Sequence, residues 1–99
     1  MGADAPRRLL LAAGSVPRLA RHAKLRHDNT RGQWVLLAPE RILTPSETAV
    51  AVLRLCDGTA SVAAIAGQLA VEYDAPPAEI LADILPVLQE LADLGYVLA

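Results

Sequence analysis

The sequence contains a single cysteine, Cys56, among its 99 residues. A disulfide within the chain is therefore impossible, and a zinc or iron–sulfur site built from several cysteines is excluded. The isolated thiol lies in an apolar helical pattern, which favours a buried structural role over a nucleophilic one. Because an unpaired cysteine also fits a reducing compartment, we expect a cytoplasmic protein.

Aromatic residues and long apolar runs are scarce. The chain has no phenylalanine, one tryptophan and two tyrosines, so its core must be built from aliphatic side chains. No stretch reaches the roughly eighteen consecutive apolar residues that a membrane-spanning helix needs, and no membrane partner is expected. Apolar residues nevertheless make up 54% of the chain. This proportion excludes a disordered chain and indicates that some apolar surface meets a partner.

Positive charge is absent from the C-terminal part of the chain. All nine Lys and Arg residues lie between Arg7 and Arg54. The part after Arg54 carries only acidic charges, at Asp57, Glu72, Asp74, Glu79, Asp83, Glu90 and Asp93. Charge polarity of this kind reports on partners more than on fold.

Catalytic and metal-binding patterns are also missing. The sequence has no glycine-rich nucleotide motif, no P-loop and no HExxH motif. His22 and His27 stand in an Arg-rich segment, where solvated side chains are expected rather than a metal pair. Ser46 and Ser61 lie where helices are expected to begin, so helix capping explains them better than nucleophilic catalysis does. We therefore expect no enzyme activity, no cofactor and no metal site.

The first half of the chain favours short strands. Residues 1–16 show no clear periodicity, and we expect them to form a flexible N-terminal arm before a single domain spanning residues 17–99. Turn-forming residues 28–32 and the Pro39-Glu40 pair divide the following segment. The predicted strands occupy residues 17–28, 33–38 and 41–43.

The first helix has start and stop signals. Thr44 is expected to be its N-cap, with Pro45 at the first helical position and Glu47 completing a capping box with Thr44. Asp57-Gly58 supplies the stop. The apolar residues between these signals fall on one helical face, which predicts a short amphipathic helix.

Two more helices are predicted after it. Ser61 is the expected N-cap of the second, and the third extends from about Pro77 to Leu94 with Pro86 inside it. Strands followed by helices are typical of an α+β fold. The predicted architecture is winged-helix-like, with three short antiparallel β-strands followed by three α-helices.

Two surfaces are candidates for function. The apolar residues of the third helix cover an arc of about 180°, whereas a helix resting on one core needs about 100°. Other elements either bury the surplus or leave it open as a groove. In addition, the third strand forms a sheet edge that an extended peptide can join. The alternative is that the charges of Glu40 and Arg41 protect this edge.

Four motifs, in order and spacing, resemble the PqqD family over about residues 17–98. Pro86 is unusual for the family, and Pro45-Ser46 stands where a Leu-Asn pair is common. The matching segments are Leu36-Leu37-Ala38-Pro39-Glu40, Leu55-Cys56-Asp57-Gly58, Ser61-Val62-Ala63-Ala64-Ile65 and Asp83-Ile84-Leu85-Pro86-Val87-Leu88-Gln89-Glu90-Leu91.

The resemblance implies a peptide-binding adaptor, or chaperone, in the biosynthesis of pyrroloquinoline quinone (PQQ). Such proteins bind the precursor peptide PqqA and present it to the radical-SAM enzyme PqqE. Related domains are recognition elements that hold leader peptides between the third strand and the third helix. Carried onto this sequence, the peptide-binding residues are Glu40, Arg41, Ile42 and Leu43 on the strand and Ile80, Asp83, Ile84, Val87 and Leu91 on the helix.

Two other functions are compatible with the same elements. A winged-helix protein binds DNA through cationic residues, but the second and third predicted helices contain none, so a nucleic-acid partner is not expected. The exposed strand edge also allows self-association as a homodimer. Pairing between two copies at the third strand would compete with a peptide.

Overall fold

The computed structural model describes residues 8–99. Its strands precede three helices, and a last short strand follows them, so the predicted α+β class with antiparallel strands ahead of three helices is confirmed. The elements are β1 (Arg18–Leu19), β2 (Lys24–Asp28), β3 (Gln33–Ala38), β4 (Arg41–Leu43), α1 (Glu47–Leu53), α2 (Val62–Tyr73), α3 (Pro77–Asp93) and β5 (Val97–Leu98).

Strands β2, β3 and β4 form an antiparallel sheet in sequence order. The turn between β2 and β3 forms as predicted, because the Asp28 carboxylate accepts hydrogen bonds from the backbone N–H groups of Thr30 at 3.0 Å and Arg31 at 3.3 Å. Gly32 closes the turn with φ at 67°, a conformation that glycine adopts without steric cost. The predicted bounds of β3 and β4 are confirmed.

The prediction of one strand over residues 17–28 is wrong. The Ala23 N–H donates to the Ala20 carbonyl at 3.0 Å, which makes a turn that divides the segment. The part before this turn, β1, pairs with β5 in a separate two-stranded sheet. Pairing between segments so distant in the chain depends on the tertiary fold, which local sequence patterns do not reveal.

Helix α1 begins two residues later than predicted, and Thr44 is not its N-cap. Ser46 takes that role: its backbone is extended, and its hydroxyl accepts a hydrogen bond from the Ala49 N–H at 3.1 Å. Glu47 therefore lies in the first turn, where its charge complements the helix dipole, and does not complete a capping box. Both Thr44 and Ser46 are good N-cap residue types, and the hydrogen bond decides between them.

Helix α1 ends at Leu53, before the predicted stop at Asp57-Gly58, because Leu55 and Cys56 donate to carbonyls only three residues back. The signals of the other two helices are confirmed. The Ser61 hydroxyl caps α2 by accepting from the Ala64 N–H at 3.1 Å. Helix α3 begins at Pro77 and continues through Pro86, whose ring lies on an exposed side of the helix. Gly95, with φ at 84°, ends α3 and turns the chain into β5.

Two apolar clusters hold the elements together. The larger one joins α1, α2, α3 and β5 around side chains such as Ile65, Ile84 and Leu88, each 1% exposed or less. The smaller one lies under the sheet and comprises Ala20, Ala23, Leu36 and Tyr96. Leu91 packs against both clusters, so α3 connects the helical layer to the sheet.

The described part of the expected N-terminal arm lies against the helices. The Ser15 carbonyl accepts from the Val62 N–H at 2.8 Å, and the Ala13 carbonyl accepts from the Ala63 N–H at 2.9 Å. Leu11 packs against the larger apolar cluster. Residues 1–7 are outside the described range, and the domain boundary at residue 17 stays a prediction.

Candidate functional site

Strand β4 forms one edge of the three-stranded sheet. Its residues pair only with β3, with Leu43 opposite Leu36, Ile42 opposite Leu37, and Arg41 opposite Ala38. No strand among residues 8–99 pairs with its other side. The edge therefore presents backbone N–H and C=O groups that another strand can pair with.

The side chains of β4 alternate between the two faces of the sheet. Leu43 lies across from Leu36, which is fully buried, so Leu43 and Arg41 are on the face turned toward the core. Ile42 is on the opposite face and is 71% exposed. Glu40 lies in the exposed turn before the strand. The four predicted strand residues therefore divide between two faces and a turn.

One flank of α3 is covered by the chain itself. We call residues 8–13 the N-terminal strap, and Gln89 with Asp93 the covered flank. The Gln89 side chain accepts from the Leu11 N–H at 2.9 Å and donates to the Leu9 carbonyl at 2.7 Å. Arg8 makes two hydrogen bonds to the Asp93 carboxylate, at 2.8 and 2.6 Å. These contacts clamp the strap along the helix.

The Arg8 contacts change the ionisation of the covered flank. The hydrogen bond from Arg8, supported by a second one from Gln89, lowers the pKa of Asp93 below its ordinary value. The same contact raises the pKa of Arg8, so both groups stay charged near neutral pH. Because both side chains are largely exposed, salt screens the attraction between them.

The opposite side of α3 is different. We call Asp83, Val87, Glu90 and Leu94 the open flank, since their spacing of three and four residues places them on one side of the helix. Leu94 is 45% exposed, Val87 is half-buried, and the two carboxylates point to solvent. Within residues 8–99, no hydrogen bond or ion pair joins these acidic groups to another element.

The open flank and β4 share an apolar floor. Leu43 of β4 and Leu91 of α3 both pack against the cluster around Leu36 and Tyr96. Leu91 lies one helical turn after Val87, so the open flank borders the residue through which α3 contacts this cluster. The strand with the free edge and the helix with the open flank thus each contribute one leucine to the same apolar cluster.

The N-terminal end of the predicted helix wall has other neighbours. Ile80, Asp83 and Ile84 line a small cavity of about 210 Å³ with residues of α1 and α2, among them Thr48 and Tyr73. Ile84 is 1% exposed and belongs to the larger core cluster. Helix α3 thus directs Leu91 toward the sheet, while Ile80 and Ile84 lie toward α1.

A second and larger cleft lies on the other side of α1. It has a volume of about 760 Å³ and is bounded by the start of β3, by α1 and by the end of α2. We call it the Trp34 cleft; its side chains include Trp34, Glu47, Val50, Arg54, Glu72 and Tyr73. Sequence reasoning did not single out this cleft. The sequence signals available were Trp34, the only tryptophan, and Arg54, the last basic residue, but their contact is visible only in the structure.

Cys56 does not belong to either cavity. It is 6% exposed, and its thiol donates to the Val52 carbonyl at 3.3 Å. Burial, together with the neighbouring charge of Asp57, raises the pKa of Cys56 to about 12. The thiol therefore stays protonated at neutral pH and is a poor nucleophile.

The described part of the chain offers no group of three or more His, Cys, Asp or Glu residues placed to hold a metal ion. Across the same residues, no helix is both long enough and apolar enough to cross a membrane. The features that remain are a free strand edge, an uncovered helix flank and two cavities. Together they define a small domain whose distinctive surfaces suit binding.

Comparison with known proteins identifies the family. The model of the family described as coenzyme PQQ synthesis protein D (PqqD) matches residues 33–97. A PqqA binding protein of Rhodopseudomonas palustris strain TIE-1 is 54% identical over 92 residues, covering 93% of this chain and 90% of the relative. The chain belongs to the PqqD family.

Two further matches involve Methylobacterium and Methylorubrum extorquens. The solution NMR structure of the PqqD truncation of Methylobacterium extorquens PqqCD, a stand-alone recognition element for ribosomally synthesized and modified peptides, is 47% identical. It aligns with a TM-score of 0.79 over 90% of this chain and 95% of that chain. The bifunctional coenzyme PQQ synthesis protein C/D of Methylorubrum extorquens is 52% identical over 81 residues, which cover 82% of this chain but 22% of that protein. The fold is that of the recognition element.

Proposed function

We propose that this chain binds the precursor peptide PqqA in the cleft between β4 and α3, as a non-catalytic adaptor in PQQ biosynthesis. The observation that carries the proposal is the unpaired edge of β4, whose Leu43 packs against the same apolar cluster as Leu91 of α3. A relative 54% identical over nearly the whole chain is named a PqqA binding protein, which supports the choice of peptide.

The chemistry of the cleft suits strand addition. Backbone groups of β4 supply affinity that is independent of peptide sequence, and the helix flank supplies contacts with alternate side chains. Leu43, Val87 and Leu91 offer apolar contacts, while Arg41 and Asp83 provide opposite charges on the two sides. Of the predicted residues, Ile42 and Glu40 contribute backbone, and Ile80 and Ile84 support the helix from beneath.

The binding site is tested by titrating isotopically labelled protein with synthetic PqqA and recording amide NMR spectra. We expect saturable shifts concentrated at residues 40–43 and at the open flank. Amides of the N-terminal strap serve as the internal reference, since they lie on the other side of α3. Shifts confined to the strap, or none at high peptide excess, would contradict the proposal.

A matched pair of substitutions tests the helix side of the cleft. Val87→Asp places a charge on the open flank, where we expect peptide affinity to fall at least about tenfold, equivalent to about 1.4 kcal/mol. Ala82→Asp adds the same charge at an exposed position of the same helix, outside that flank. Calorimetric titration of the two variants, each checked for folding by circular dichroism, should separate them. Equal affinities would remove Val87 from the site.

The adaptor role further requires an enzyme partner, and we propose PqqE acting on the bound peptide in the cytoplasm. The match to a segment of a bifunctional C/D synthesis protein supports a domain that works beside other proteins of the pathway. Size-exclusion chromatography of PqqE with the chain and PqqA should yield a ternary complex. If PqqE elutes separately both with and without peptide, the presenting role is wrong.

Self-association is the second candidate, because Ile42 is 71% exposed on a strand with a free edge. Two copies paired through β4 would form a continuous sheet and block the peptide site. Light scattering across a range of protein concentrations measures this directly. A dimer that dissociates when PqqA is added would show that both partners use the same edge.

A further inference from the structure

The proposed strand-addition site makes no use of the Trp34 cleft, although this is the larger of the two cavities. Its volume of about 760 Å³ is within the range of ligand-binding pockets, roughly 300–1,000 Å³. Ala51 and Tyr73 line both cavities, so the two adjoin across α1. A ligand that leaves the open flank of α3 beside Asp83 therefore meets the Trp34 cleft next.

Arg54 is held in place within this cleft. Its guanidinium carbon lies 5.1 Å from the centroid of the Trp34 ring, which is a cation–π contact. The ring is itself fixed from another side by His27, edge-on at 5.2 Å with an interplanar angle of 75°. A side chain oriented by stacking loses little conformational freedom when it binds a ligand.

Arg54 also lacks an acidic partner among residues 8–99, where the ion pairs are Arg8 with Asp93 and Arg31 with Asp28. Its N–H donors are thus available to a ligand. The planar guanidinium group can bind a carboxylate through two parallel hydrogen bonds. Such charge-assisted hydrogen bonds are stronger than those between neutral groups. The open position beside Arg54 therefore suits a carboxylate.

We propose that the Trp34 cleft is a second subsite for the peptide, in which Arg54 binds one acidic side chain. An apolar or aromatic neighbour of that residue packs against Trp34 and Tyr73. Glu47 and Glu72 also line the cleft and would repel a run of acidic residues, so the subsite selects a single carboxylate next to apolar side chains. This inference rests on the proposed peptide-binding function.

The fluorescence of Trp34 can be used to test the second subsite. Trp34 is the only tryptophan, so its fluorescence reports on this cleft alone. We expect PqqA to change the emission of Trp34 saturably, and Arg54→Met to weaken binding about tenfold by removing the charge. Arg26→Met is the matched control: Arg26 is an exposed cation opposite Val35, on the sheet face away from the core. It should bind like the unaltered protein.

Peptide variants identify the acidic residue. Each Asp or Glu of PqqA is changed singly to its amide, and the affinity is measured for the unaltered protein and for Arg54→Met. One change should weaken binding to the unaltered protein about tenfold and have little further effect in Arg54→Met, as expected for two groups in direct contact. This coupling would not arise if Arg54 acted only through the stability of the fold.

The outcomes are distinguishable. If the unaltered protein binds PqqA while Arg54→Met binds equally well, the second subsite is wrong and the β4–α3 site stands. If Arg54→Met weakens binding but no peptide carboxylate shows coupling, Arg54 does not bind an acidic side chain and the proposal fails. If the unaltered protein does not bind PqqA, the proposed function fails, and the subsite fails with it.

Discussion

Both flanks of α3 carry acidic side chains, but only one flank is covered by another part of the chain. On the covered flank, the Gln89 amide bonds to the backbone of the strap at Leu9 and Leu11, and Asp93 pairs with Arg8. On the open flank, Asp83 and Glu90 alternate with Val87 and Leu94 without such partners among residues 8–99. One helix therefore presents one flank that the N-terminal strap covers and another that no hydrogen bond or ion pair joins to a further element among residues 8–99.

The covered flank and the edge of β4 both present groups that can bond to a peptide backbone. On the covered flank, the Gln89 amide satisfies an N–H and a carbonyl two residues apart, while Arg8 and Leu11 add contacts that depend on the sequence of the strap. The outer edge of β4 offers backbone N–H and C=O groups that no strand among residues 8–99 pairs with. The covered flank binds backbone of the chain itself, and the edge of β4 is proposed to bind backbone of a peptide.

The centre of α3 should respond to substitution more strongly than either flank. Ile84 is 1% exposed in the core, so Ile84→Ala should lower the free energy of unfolding by about 2–5 kcal/mol, measured by urea denaturation. Val71→Ala on α2 is the control, because Val71 is 84% exposed and should change stability by less than about 0.5 kcal/mol. Similar losses in the two variants would contradict the division of α3 into a buried centre and two flanks.

Signals that act over a few residues predicted the fold well. The bounds of β3 and β4 followed from the turn residues on either side of them, and the extent of α3 followed from Pro77 and Gly95. Ser61 was recognisable as a cap because the apolar stripe of the helix begins directly after it, at Val62. At α1, by contrast, Thr44 and Ser46 are two suitable caps in succession, and only the hydrogen bond to Ala49 distinguishes them.

Contacts between segments far apart in the chain could not be predicted from the sequence. Pairing of β1 with β5 depends on Gly95 returning the chain to the N-terminal segment, which periodicity does not encode. The helical pattern likewise placed Ile84 and Leu91 on one wall, but gave no neighbour for either. Their different surroundings, α1 for one and the sheet for the other, come from how the elements pack.

Substitution of Gln89 tests whether its side-chain amide holds the N-terminal strap against α3. Gln89→Ala loses the bonds to Leu9 and Leu11, and we expect a stability loss of about 1 kcal/mol. Hydrogen exchange at the Leu11 amide should accelerate, while exchange in α2 is unchanged. Gln68→Ala, at an exposed position of α2, is the control. Unchanged protection at Leu11 would show that packing, and not the amide, holds the strap.

The smallest effect is expected from the charge of Asp93. Its pKa is lowered by the hydrogen bond from Arg8, so the carboxylate contributes stability above the ordinary Asp pKa, and this contribution is lost as the pH falls through the lowered value. The urea midpoints of the unaltered protein and Asp93→Asn should differ near neutral pH and converge as the pH falls through the lowered pKa of Asp93. Asp57, whose pKa is lowered by Thr59, titrates in both proteins and cancels from the comparison. Added salt should also reduce the difference between the two urea midpoints, because the Arg8–Asp93 ion pair is exposed to solvent. A difference that persists at low pH would mean that Asp93 holds the strap by shape and hydrogen bonding alone, without its charge.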